Sequence, residues 1–76
     1  LWLVEPPEPL RERGGRPQRA GPLRLLSGPE RIEAGWWDGG DARRDYFVAA
    51  DRAGRRLWIY RDPRPPGGWF LHGWFA

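Results

Sequence analysis

The sequence has no cysteine, no methionine and no lysine. Without cysteine, disulfides and thiolate metal sites are excluded, and small secreted domains usually depend on them. A reducing, cytoplasmic compartment is therefore expected. A chain that begins at Leu1 and holds no methionine reads as a piece excised from a longer protein. With lysine absent, every basic residue except His72 is Arg, a bias that GC-rich genomes produce and that nucleic-acid contact would also select. No segment approaches the roughly 20 apolar residues of a membrane-spanning helix, and no signal-peptide pattern is present. No membrane association is expected.

The equipment of catalysis is equally sparse. His72 is the only histidine and Ser27 the only serine, and neither has a triad-like companion in the sequence. A lone His in an apolar strand is more often a hydrogen-bonded structural residue than an acid–base catalyst. Asp38, Asp41 and Asp45 match no oxygen-ligand loop, and solvation or pairing with Arg43 and Arg44 is the plainer reading. Gly39-Gly40 and Gly67-Gly68 are turns, because no phosphate-cradling motif accompanies them. The chain is expected to be no enzyme, with no catalytic or metal-binding residue, no cofactor and no small-molecule substrate.

What is present is aromatic. Seventy-six residues allow one domain, which buries only roughly 60% of its unfolded surface. Six Trp, two Tyr and three Phe offset that, each burying on the order of 150–250 Å². The net charge of +3 is well mixed along the chain, whereas nucleic-acid binders concentrate theirs.

Leu1–Val4 reads as an N-terminal strand or arm. Residues 5–22 hold five of the nine prolines with Arg, Glu and Gly, and are expected to be a loop or linker, mobile over Arg11–Gly21. Residues 23–76 are expected to form an antiparallel β module. In it, Leu23–Ser27 is a short strand closed by a Gly28-Pro29 turn, and Glu30–Trp37 alternates as a second. Asp51-Arg52-Ala53-Gly54 matches a hairpin loop with Gly in the left-handed region. That turn fixes a register in which Val48 faces Trp58, Tyr46 faces Tyr60, and Asp45 pairs with Arg61. One hairpin face then holds Tyr46, Val48, Trp58 and Tyr60, and the other Phe47, Ala49, Leu57 and Ile59. Both are apolar, so either the sheet curls and is covered on both sides or one face meets a partner. The last strand, Trp69–Phe75, puts Phe70, His72 and Trp74 on one side. The fold class is mostly β: a small antiparallel sheet or partly open barrel of about four or five strands with a Pro/Gly/Arg-rich loop.

Two kinds of contact follow. Trp37, Tyr46, Trp58, Tyr60 and Trp74 are the candidate partner-binding residues, since Trp and Tyr dominate interface hot spots. Trp36, Trp37, Trp58, Trp69 and Trp74 with Arg43, Arg44, Arg55 and Arg56 form the alternative, a platform for single-stranded or primer-template DNA. A structural cap that binds nothing is the bland third reading.

The blocks GPERIEAGWW (28–37), RDYF (44–47), LW (57–58) and WFLHGWFA (69–76), with LWLVEPPEPL at the start, resemble the C-terminal region of ImuB-type proteins. These are Y-family polymerase homologues of the bacterial mutagenesis cassette that lack the catalytic acids. The resemblance implies a non-catalytic adaptor role in translesion synthesis within the SOS response, nucleoid-associated during DNA damage. It implies as partners the error-prone polymerase subunit or the RecA-like accessory protein of the same cassette. The family's clamp-binding motif, a Gln followed by Leu and aromatics, has no match here, because Gln18 precedes Arg-Ala-Gly-Pro.

Overall fold

A computed structural model describes residues 1–33 and 43–75. Among them are six strands: β1 (Trp2–Arg13), β2 (Arg16–Gln18), β3 (Arg24–Glu33), β4 (Arg43–Ala50), β5 (Arg56–Asp62) and β6 (Gly68–Trp74). They pair antiparallel in the order β2-β1-β6-β5-β4-β3, and the sheet curls into a half-barrel. β2 and β3 are its two edges.

The β4–β5 hairpin has the register expected from its turn, with Tyr46 opposite Tyr60 and Val48 opposite Trp58. Gly54 takes φ +83°, and its N–H donates to the Asp51 carbonyl at 3.0 Å. The Asp51 carboxylate accepts from the N–H groups of Ala53 (3.0 Å) and Arg55 (2.8 Å) and from Arg55 Nε (2.9 Å). Three hydrogen bonds accepted by one side chain hold the loop closed.

Residues 5–22 are no linker. β1 runs through Pro6, Pro7 and Pro9, and β2 holds a fully buried Pro17. The β1–β6 ladder shifts register between Leu3 and Glu8, so Pro6 and Pro7 sit where the ladder is interrupted. β2 covers β1 only from Arg11 to Arg13, which leaves the proline stretch on an open edge where a missing N–H costs nothing. Gly14 (φ +57°) and Gly15 (φ +80°) then form a two-residue hairpin turn with both centres left-handed, the geometry that matches strand twist. Leu1–Val4 joins the sheet as well, Trp2 pairing with Trp74 and Leu3 with Gly73.

Nor does Gly28-Pro29 end a strand. β3 passes through it with register shifts on both sides of Ser27. A Cβ on Gly28 would lie 2.6 Å from the Tyr46 carbonyl oxygen, so the bulge brings backbone against backbone where only glycine fits. The expected Asp45–Arg61 ion pair is also corrected. Although Arg61 is opposite Asp45 on β5, the carboxylate takes Arg31 on β3, at 2.9 and 3.4 Å. The guanidinium fork makes two bonds there, which one rival contact would not match, and they raise the Arg31 pKa above its ordinary value.

The core fills the inner face. Leu57, Ile59 and Leu71 are essentially inaccessible, and Leu23, Ala49 and Trp69 complete the cluster. Val4, Leu10, Phe47 and Trp74 pack against it.

Candidate interaction surface

The opposite, outer face of the sheet is also apolar. Cross-strand register lines up Pro9, Phe70, Tyr60, Tyr46 and Glu30 in one row, and Leu3, Gly73, Trp58, Val48 and Ser27 in the next. The aromatic members stack. Tyr46 lies 4.1 Å from Trp58 between ring centroids, Trp58 lies 4.9 Å from His72, and Tyr60 lies 5.1 Å from Phe70. Such pairs each add about 0.5–1.5 kcal/mol beyond area burial.

His72 is tied into this layer. The imidazole Nδ1 of His72 is 2.7 Å from Tyr46 Oη, which also accepts from Arg44 Nη1 at 3.3 Å. Its other ring nitrogen, Nε2, is 3.8 Å from the Glu5 carboxylate. The imidazole acts as a hydrogen-bonded crosspiece between β6 and β4. The Arg44 guanidinium also lies over the Tyr60 ring, 4.5 Å from its centroid.

Of the candidate partner-binding residues, Tyr46, Trp58 and Tyr60 are together on this face, as the hairpin register required. Tyr46 and Tyr60 are only 4% exposed, while Trp58 is half-buried. Trp74 is on the inner face instead. β6 bulges at His72, because Ile59 pairs with Leu71 but Trp58 pairs with Gly73. That extra residue reverses the alternation and sets Trp74 opposite Leu57. There its ring lies beneath the guanidinium groups of Arg19 (4.8 Å) and Arg55 (5.0 Å). Trp37, like Trp36, lies outside the described residues.

The four candidate nucleic-acid contacts are divided. Arg44 and Arg56 belong to the outer face but sit at opposite ends of the hairpin, about 20 Å apart at strand rise. Arg43 alternates to the other face, and Arg55 is held by Asp51 and Trp74. Trp69, part of the same platform, is in the core.

Sequence reasoning missed one exposed group. Leu1, Trp2, Leu3 and Phe75 stand out at the end of the sheet where β1 meets β6, Trp2 being 72% and Leu3 55% exposed. Leu3 extends the Trp58 row, so the outer apolar surface continues onto β1. The apolar run LWLV was the available signal. Among the described residues, no group of three or more His, Asp or Glu is placed to hold a metal.

These features define a small all-β half-barrel with apolar side chains on both faces of one sheet. Protein ImuB from two strains of Caulobacter vibrioides is similar to it, 35% identical over 66 residues in each case. The match covers 71% of this chain but only 14% of the length of those relatives. No family model matches the chain. No solved structure matches it either.

Proposed function

We propose that the chain is a non-catalytic protein-interaction module of an ImuB-type translesion-synthesis adaptor. In DNA-damage tolerance it docks a mutasome partner, the error-prone polymerase subunit or the RecA-like accessory protein of the cassette. The observation that supports this reading is the outer face: a stacked aromatic layer continuing into exposed Leu3, with no second layer of this chain over it among the described residues. A sheet facing water would alternate polar residues there. The similarity to ImuB supports the DNA-damage-tolerance setting of this reading.

Single-stranded DNA is the weaker reading, since its four candidate Arg residues do not all lie on one face and two of them are engaged by neighbouring side chains. Pulldown of each purified cassette protein by this chain, beside titration with labelled single-stranded DNA at two salt concentrations, separates the two. Retention of one cassette protein with little salt dependence is expected. DNA affinity that collapses with salt, without protein capture, would overturn the proposal.

A further inference from the structure

We infer that the seam of the half-barrel, between β2 and the start of β3, is a docking cleft for an extended acidic segment of a partner protein bearing an apolar anchor residue. The seam is where the two sheet edges approach. Leu23 N–H donates to the Pro17 carbonyl at 3.0 Å, and Gln18 bridges to Pro22. Beside that contact opens a cleft of about 480 Å³, lined by Pro17, Leu23, Leu25 and Trp69 with Arg16 and Arg24. Its size is that of clefts that take a ligand side chain or small molecule.

Charge identifies the occupant. Arg16 and Arg24 are exposed and have no carboxylate partner among the described residues, whereas Arg19, Arg31, Arg55 and Arg64 each hold one. No acidic residue among the described ones lines the cleft. The lining between the two guanidinium groups is apolar, and Leu25 is substantially exposed. The Trp69 indole N–H is buried without an acceptor among the described residues. Among the described residues β3 is paired only with β4, which leaves its other edge for a further strand. An extended segment there pairs with β3, sets an apolar side chain against Leu23, Leu25 and Trp69, and brings its carboxylates to Arg16 and Arg24. This surface is separate from the outer aromatic face, and each stands or fails without the other.

The test selects peptides from a phage-displayed library of random linear sequences against the immobilised chain. The enriched peptides are then synthesised and titrated. Enrichment of Asp and Glu around a Leu, Phe or Trp is expected, with affinity about ten-fold weaker for the double variant Arg16→Glu/Arg24→Glu. Arg16→Lys/Arg24→Lys restores most of it, Leu3→Glu leaves it unchanged, and the Trp69 indole N–H resonance moves on binding. Both Arg are exposed, so circular dichroism of the variants matches the parent chain. No enrichment, basic or uncharged peptides, an unchanged affinity in the charge-reversed variant, or tighter binding to an oligo-dT strand than to peptide would each overturn the inference.

Discussion

At the residue scale, a few side chains and two glycines govern local geometry. Gly54 and Gly28 both have positive φ, but their surroundings differ. A Cβ at Gly54 meets nothing within 4 Å, so Gly54→Ala is expected to cost only the backbone strain, about 1 kcal/mol. Gly28→Ala adds a collision with the Tyr46 carbonyl and with Phe47, and should cost at least about 2 kcal/mol more. Urea denaturation of the two variants measures the difference. For Asp51 and Asp62, burial pushes the carboxyl up, but hydrogen bonds outweigh it: from Arg55 and Ala53 on Asp51, and from Arg64 on Asp62. Both therefore ionise more readily folded than unfolded. Their contribution is complete above the ordinary aspartate pKa of 3.8 and fades as pH falls through their lower folded values. Thermal melts from neutral pH to about pH 2 should show that decline, and Asp51→Asn should flatten part of it.

At the scale of elements, the β4–β5 hairpin was legible because its turn chemistry is local: Asp51 and Gly54 fix the register within four residues of one another. β1 was not legible. Whether proline fits a strand depends on which edge is open, and that is settled by the remote β6 and the brevity of β2. The Gly14-Gly15 turn between β1 and β2 was a readable signal. For the candidate surface, Tyr46, Trp58 and Tyr60 could be grouped from register alone. Their burial could not, since remote neighbours such as His72 on β6, and Arg44 lying over Tyr60, contribute to it. Trp74 was misplaced by one bulge, and a glycine inside a strand, Gly73, marks where it lies. The inner rows give their own test. Leu57 and Ile59 are at zero exposure, so Leu57→Ala is expected to cost about 2–5 kcal/mol and Ile59→Val about 0.5–1.5. Chemical denaturation should rank them in that order.

For the whole molecule, one curled sheet with two apolar faces is an unusual economy. The inner face closes on itself around Leu57, Ile59 and Leu71. Among the described residues, the outer face is finished by its own ring stacking and by Arg44, and its apolar surface runs on to Leu3. A domain of this size has a total stability of about 4–11 kcal/mol, so loss of Leu57 alone removes a large part of it, while a charge at exposed Leu3 should leave the fold intact. That separation makes the outer face testable apart from folding. The most direct measurement is the affinity of the parent chain and of its Leu3→Glu variant for the cassette protein that it retains. The account predicts unchanged circular dichroism and melting with binding weakened at least about ten-fold, as expected for a charge set into an apolar interface. Equal affinity in the folded variant would contradict the outer face as the docking surface.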